Sequence, residues 1–273
     1  MKIAASVTPN KTKFGPLLYP GDIERGLKEL SEMGYDGIEL SLRTPDDMEK
    51  KVLFGLLEKY DMELLSIATG QSFIEDSLSL FSFEEGKRKE TVRRIKGYID
   101  LLSGTGGCVI LGGIKGKLAG TDDKKQFESG SSAIAECLSH AEKAGAYLLL
   151  EAINRYETNF FNTVGSCHEY VLSMNSSHLR VLPDTYHMNI EESSIHEALK
   201  GAAEDVGAIH CADNNRLAPG MGHIDFRSIL SQVKNFKNLK YIGVEVLPVP
   251  DSKTCAQTAI KTIRSCLNQE VVK

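Results

Sequence analysis

Eight short apolar runs alternate with longer amphipathic stretches along this chain, and that alternation limits the fold more than any other feature. The runs are Lys2–Val7, Tyr35–Arg43, Glu63–Gly70, Gly107–Gly113, Tyr147–Asn154, Leu179–Thr185, Ala208–Asp213 and Tyr241–Leu247. Helical patterns follow them over roughly 22–33, 46–60, 84–103, 122–144, 163–175, 194–203, 225–236 and 252–267. Strands that alternate strictly with helices imply a parallel sheet. Near-continuous runs such as YLLLEAIN and YIGVEVL suit strands covered on both faces.

Start and stop signals agree with this division. Asp22, Asp225 and Asp251 stand where helix N-caps belong, and Ser82-Phe83-Glu84-Glu85 has the S-x-x-E pattern of a capping box. Gly34, Gly104 and Gly145 sit where C-terminal caps are wanted. An open, doubly wound sheet ordinarily carries a glycine-rich phosphate loop after its first strand. Here that strand runs into TPNKTKFGPLLYPGD, which has no G-x-G-x-x-G. The length, 273 residues, is that of one closed barrel, which typically takes about 250. The expected fold is α/β, a single (β/α)8 TIM barrel filling 1–273 as one domain, with no linker to divide it.

Composition narrows the function classes. Hydrophobic residues at 41% and charged residues at 25% are the ordinary globular balance, which excludes disordered, collagenous and low-complexity classes. A net charge of −5 works against sequence-independent binding to nucleic acid. No stretch approaches the roughly 18 apolar residues of a membrane span, and MKIAASVTPNK is too briefly apolar for a secretory leader. Six scattered cysteines without a C-x-x-C read as reduced thiols, so a cytoplasmic location is expected.

Barrel strands deliver functional side chains at their C-terminal ends. Four consecutive runs end there in strong metal ligands: Leu150-Glu151, Pro183-Asp184, Ile209-His210 and Val244-Glu245. A lone carboxylate at a strand end is ordinarily a helix cap or an ion-pair partner. One ligand in each of four successive units is what a shared cation needs. Three carboxylates and one imidazole suit Mn2+, Mg2+ or Co2+ better than a structural zinc, which favours Cys and His. Mn2+ is the first choice, and Zn2+ stays open.

A second tier of polar residues lies beside these ligands. His187 follows Asp184 by three residues, and Arg155 and Glu157 follow Glu151. The segment from His210 to Phe226 carries Arg216, expected to contact substrate, and His223, expected to brace the loop. After the fourth run, Gly112-Gly113-Ile114-Lys115-Gly116-Lys117 reads either as a seat for phosphate or carboxylate or as an exposed loop with solvated lysines.

Four segments, LLLEAINRYETN (148–159), DTYHMNIEE (184–192), IHCADNNRLAPGMGHIDF (209–226) and GVEVL (243–247), resemble the xylose-isomerase-like TIM-barrel sugar isomerases and epimerases. The likeness is nearest to the branch with ketose 3-epimerases, hydroxypyruvate isomerase and related sugar-phosphate isomerases. It implies one divalent metal ion held by Glu151, Asp184, His210 and Glu245, and substrate contacts from Glu157, His187 and Arg216. It further implies Glu151 and Glu245 as the acid/base pair, a small sugar or sugar phosphate as partner, and a homodimer. Some ketose epimerases have Trp where this chain has Phe226, and the chain has no Trp. The first half carries no matching motif.

The chemistry implied is removal and return of a proton beside a carbonyl, through an enediolate stabilised by the cation. A metal-dependent lyase or dehydratase of the inosose type would share every ligand. An endonuclease IV-like DNA phosphodiesterase would need a multi-zinc cluster with more His and a basic face. His140, His168 and His196 fall in helical stretches, and the chain is acidic, which argues against that reading. A non-catalytic sugar-binding protein would have no need of two metal-held glutamates.

Overall fold

The computed structural model of the chain describes residues 1–120 and 123–268. Its strands are β1 (Lys2–Val7), β2 (Gly37–Ser41), β3 (Glu63–Ala68), β4 (Cys108–Leu111), β5 (Tyr147–Glu151), β6 (Leu179–Leu182), β7 (Ala208–His210) and β8 (Tyr241–Val244). They pair in parallel in the order β6-β5-β4-β3-β2-β1-β8-β7. Between β6 and β7 the ladder is reduced to scattered bonds: Val181 N–H to Asp205 O at 2.8 Å, Gly207 N–H to Val181 O at 3.0 Å and His210 N–H to Pro183 O at 2.9 Å. These close the circle, and the architecture is a (β/α)8 barrel.

The helices are α1 (Ile23–Met33), α2 (Lys50–Lys59), α3 (Gly70–Asp76), α4 (Glu85–Leu101), α5 (Asp123–Ala144), α6 (Val164–Ser173), α7 (Thr185–Glu191), α8 (Ile195–Gly201), α9 (Phe226–Val233) and α10 (Ser252–Asn268). Side chains alternate along each strand, so each strand serves two cores. Ile38, Leu40, Val109, Leu148, Leu150, Ile242 and their neighbours pack outward against the helices. Ala4, Ala68, Cys108, Ile110, Leu149, Leu182, Ala208 and Tyr241 form a second cluster on the opposite faces, inside the barrel. Ser6, Glu39 and Ser66 are also fully buried. Among the described residues no helix is long and apolar enough to cross a membrane. All six cysteines are free, five of them buried.

Several expected boundaries shift, for one shared reason. The apolar runs overshoot the ladders at their C-terminal ends. Ala152, Ile153, Cys211, Ala212 and Val246 are buried at the barrel mouth without extending a strand. Two short helices, α3 and α7, begin where strands stop. At seven residues each they are too short to show an amphipathic period. The helix expected from 46 starts at Lys50, after a 3-10 turn at Pro45–Asp47. Asp122, the expected first residue of the fifth helical stretch, and the last residues of the expected 1–273 domain lie outside the described residues.

Caps follow the sequence in part. Asp225 accepts from Ser228 N–H at 3.1 Å and Asp251 from Thr254 N–H at 2.9 Å. Asp22 precedes α1 without a side-chain cap, and the Ser82 box does not form. Its hydroxyl accepts instead from Glu84 N–H at 3.1 Å, before α4 begins. Gly34 and Gly145 directly follow α1 and α5 with φ of 87° and 68°, the left-handed region that an L side chain resists. Gly104, at φ 82°, turns the chain two residues past the cap of α4.

Candidate active site

Glu151 ends β5, His210 ends β7, Glu245 follows β8 directly, and Asp184 lies two residues beyond β6, bridged to His210. The barrel therefore brings the four side chains to one point: a ligand atom from each lies within 4.8 Å of the others, and all four residues are buried. His210 Nδ1 stands 3.5 Å from Glu151 Oε1 and 3.6 Å from both Asp184 Oδ2 and Glu245 Oε2. These separations exceed those of ordinary hydrogen bonds. His210 Nδ1 and Glu151 Oε1 are buried without a hydrogen-bond partner. Leaving such atoms unpaired is costly. Three carboxylates facing one imidazole nitrogen, with lone pairs unused, are a donor set that fits a divalent cation.

The other side of the imidazole is fixed from across the barrel. Glu39, in mid β2 and fully buried, lies 3.0 Å from His210 Nε2. It also accepts from Ser6 Oγ at 2.7 Å, Ser66 Oγ at 2.9 Å and the Tyr241 hydroxyl at 3.1 Å. Burial works to raise the Glu39 pKa, but His210 and the two serines outweigh it and hold the group below the ordinary carboxylate value. An ionised carboxylate only accepts, so Nε2 carries the proton and Nδ1 is left for a cation. Gly243 makes room for this ring, because a Cβ there would come within 2.7 Å of His210 Cδ2. Gly112, just past β4, does the same for Glu151: a Cβ would collide with its Oε2.

Charge inside the cluster is uneven. Burial pushes Glu245 up to about 8, with Glu151 and Glu39 adding repulsion against the pull of Arg216 and His210. Burial acts on Asp184 in the same sense, yet Arg216, His187 and His210 hold it far below the usual carboxylate range. His210 is raised well above its ordinary value, because Glu39, Asp184 and Glu151 outweigh the effect of burial. Asp184 also caps α7, accepting from Tyr186 N–H at 2.8 Å. The two roles a strand-end carboxylate can have coincide in this residue.

Arg216 reaches into the cluster, with Nη1 2.6 Å from Asp184 Oδ2 and Nη2 bonded to Glu245. Its guanidinium lies over the Tyr186 ring, 4.8 Å from the centroid. The backbone there has φ 62°, unusual for a residue with a side chain. Arg216 N–H bonds the Asp213 carbonyl at 2.9 Å, and the buried Asp213 carboxylate holds the rest of the loop, accepting from Gly220 N–H at 3.0 Å, Gly222 N–H at 2.8 Å and Ile224 N–H at 3.1 Å. His223 is exposed, and it braces the loop through its backbone N–H to Asn214 Oδ1 at 3.0 Å rather than through its ring.

His187, buried on α7, and Glu157, whose side chain is half exposed, line the cleft above the cluster. Burial keeps His187 below its ordinary pKa despite Asp184 nearby. Arg155 points outward and pairs with Glu191, Nη2 to Oε2 at 2.8 Å. Lys115 fits neither sequence expectation. It is fully buried, and its Nζ donates to the backbone carbonyl of Glu151 at 2.6 Å, where burial depresses its pKa. Spacing pointed to the strand-end ligands but not to Glu39, Asn154, Asp213 or Lys115. Glu39 left one readable trace, a single carboxylate inside the apolar run GIELSL.

The cleft itself has a volume of about 300 Å³. Its floor is Glu151, Glu245 and Arg216; Phe14, Phe73, Ile74, Ile110, Ile153 and Leu247 form apolar walls. Thr69 and Thr158 also line it, but their hydroxyls are turned to the carbonyls of Ile110 at 2.7 Å and Gly116 at 2.8 Å.

Relatives share this architecture. The chain is 24% identical over 262 residues to 3-dehydro-D-guloside 4-epimerase of Escherichia coli (strain K12), covering 91% of this chain and 96% of that protein. It is 26% identical over 233 residues to L-ribulose 3-epimerase of Methylomonas sp. (strain DH-1), covering 83% of this chain and 81% of that protein. The structure of D-psicose 3-epimerase with D-tagatose from Clostridium cellulolyticum H10 has the same fold. It matches at a TM-score of 0.82 and 20% identity, over 97% of this chain and 100% of that one. The family model for the xylose isomerase-like TIM barrel matches residues 27–266, which take in every strand from β2 to β8 and all four clustered ligands, and the chain belongs to that family.

Proposed function

We propose that this protein is an isomerase-class enzyme, a metal-dependent epimerase or isomerase that acts on an unphosphorylated α-hydroxy ketone through an enediolate. The observation that carries the reading is the buried ligand cluster, with an unpaired imidazole nitrogen and an unpaired carboxylate oxygen, at the floor of a sugar-sized cleft. The named reactions of the two relatives lend support, since each inverts a carbon beside a ketone. A divalent cation in the set Glu151, Asp184, His210 and Glu245, Mn2+ first with Mg2+, Co2+ and Zn2+ as alternatives, supplies Lewis-acid stabilisation of charge developing on the substrate oxygens.

The chain's own residues do the rest. Glu151 and Glu245 come from strands three units apart and form the acid/base pair, one taking the proton next to the carbonyl and the other returning one. Arg216, His187 and Glu157 hold substrate hydroxyls. The apolar walls exclude water from the reacting carbon. Arg216 is the one Lys or Arg among the lining residues, and it is already bound to Asp184 and Glu245. Lys115 is turned to backbone carbonyls, so among the described residues no unpaired lysine or arginine lines the cleft to meet a phosphate ester, which supports an unphosphorylated substrate. A cytoplasmic homodimer with 1–273 as one domain completes the proposal. The location rests on the free thiols, and the homodimer rests on family likeness alone.

The test is incubation with Mn2+ and a panel of ketoses, ketose phosphates and hydroxypyruvate in D2O, with an EDTA control, read by NMR. Deuterium entering the carbon beside the carbonyl, abolished by EDTA, is the expected result. Substrate loss without deuterium return would make the protein a lyase or dehydratase. A preference for the phosphorylated ketoses would overturn the substrate class, and no exchange across the panel would overturn the reaction.

A further inference from the structure

We propose that Asn154 is a positioning residue that locks His187 with Nδ1 as acceptor and Nε2–H as donor, so that His187 serves as a fixed hydrogen-bond donor to a substrate oxygen. The argument starts at a backbone amide. Tyr156 N–H, which can only donate, bonds to Asn154 Oδ1 at 3.0 Å. That orients the side-chain amide, and its nitrogen therefore faces the other way. Asn154 Nδ2 stands 2.7 Å from His187 Nδ1 and 3.0 Å from Glu157 Oε1, so its two hydrogens are divided between them. The backbone N–H of Asn154 also points at His187 Nδ1, at 3.4 Å.

Both groups aimed at Nδ1 are donors, and a proton on that nitrogen would face them. Nδ1 accepts, and in a neutral imidazole the proton then sits on Nε2. Among the described residues Nε2 has no hydrogen-bond partner, and the ring lines the cleft. Glu157 Oε1 lies 3.9 Å from Nδ1, beyond hydrogen-bond reach, so the carboxylate is joined to the imidazole only through Asn154. Outside, Arg155 clamps the same two elements: its N–H and Nε bond to Glu191 Oε1 on α7 at 2.6 and 2.9 Å. Asn154 is itself buried, so water cannot readily replace either of its bonds. With Nδ1 already accepting, His187 is set to donate and not to take a proton, which leaves proton transfer to carboxylates.

The lock concerns the protein alone; the donor role rests on the reading of the cleft as a ketose site. The full chain, loaded with diamagnetic Mg2+ and labelled with 15N-histidine, is examined by long-range 1H–15N correlation, with His187→Gln identifying the signals. The expected result is an unprotonated Nδ1 and a protonated Nε2. Asn154→Asp replaces the donor by an acceptor and is expected to move the proton to Nδ1. It should lower kcat about 10- to 100-fold, the range known for losing the partner that orients a metal-ligating histidine, with a smaller change in KM. Asn154→Ala should leave a mixture of tautomers. A wild-type Nδ1 that carries the proton, or a tautomer indifferent to Asn154→Asp, overturns the lock. A moved proton with unchanged turnover overturns the donor role. The expected tautomers in a protein that exchanges no ketose would leave the lock standing and sink the ketose reading instead.

Discussion

The two halves of the barrel contribute different things to one cleft. β5 to β8 each deliver one residue of the cluster, at the strand end or within two residues of it, and the segments beyond them bring Glu157, His187 and Arg216. β1 to β4 end in no ligand. They and their loops supply Phe14, Phe73, Ile74 and Ile110 as walls, Gly112 where the Glu151 carboxylate needs room, and Glu39 from deep in the interior. One half holds the buried cluster, and the other supplies much of the wall and the brace. A carboxylate buried mid-strand can reach an imidazole 171 positions away because β2 and β7, three strands apart round the circle, both turn these side chains into the barrel interior.

The largest expected effect lies in the second half. Glu151→Gln and Glu245→Gln should each lower turnover about 100- to 10,000-fold, the usual range for losing a general acid or base, with unchanged far-ultraviolet circular dichroism. Near-normal turnover in either variant would end the paired-carboxylate scheme. Glu39→Gln tests whether the first half braces or merely fills. It should weaken Co2+ binding about 10- to 100-fold, measured by visible absorption of Co2+ in the metal-loaded chain. Unchanged affinity would reduce the first half to shape alone.

A pH series sharpens the same contrast. Without metal, burial pushes Glu245 up to about 8, so below that pH it holds a proton that a cation must displace. Metal affinity is expected to rise with pH through that region, by roughly tenfold per pH unit for each proton released. Calorimetry in buffers of different ionisation enthalpy counts those protons, and a pH-independent affinity would contradict the arrangement.

The smallest effect falls on the first half's scaffold. Asp76, at the end of α3, is lowered to about 2 by its bond to Arg43, with Arg94 adding to this against burial. Its folded value lies below its ordinary one, so the stabilisation is complete above pH 4 and is lost as pH falls from about 4 to 2. Asp76→Asn should cost about 1–2 kcal/mol near neutral pH, discounted because Arg43 is half exposed. Urea unfolding would show the gap between the two proteins closing in acid.

How much of this was legible follows from how each feature is encoded. The barrel is written in the alternation of runs, since period and length alone separate strand from helix. The ligand set is written at the strand ends, where a polar residue interrupts an apolar run. Glu39 also interrupts a run, but nothing in one strand says which partner lies across the barrel. Asn154 and Asp213 act through backbone amides of nearby loops, whose turns have no period. Lys115 shows the limit most plainly. A lysine between glycines has the composition of an exposed loop, yet the chain buries its amine on the carbonyl of a ligand residue.

The junction of β6 and β7 has one more consequence. It is the thinnest stretch of the circle, and Asp184 stands on one side of it with His210 on the other. An ion shared by these two residues would be a clasp across the weakest join, and binding to the folded form alone would favour the closed state by mass action. Local opening should therefore begin there when the ion is stripped. Amide hydrogens of Gly207 and His210 would then exchange faster with solvent deuterium, while those of β1 and β2 keep their pace.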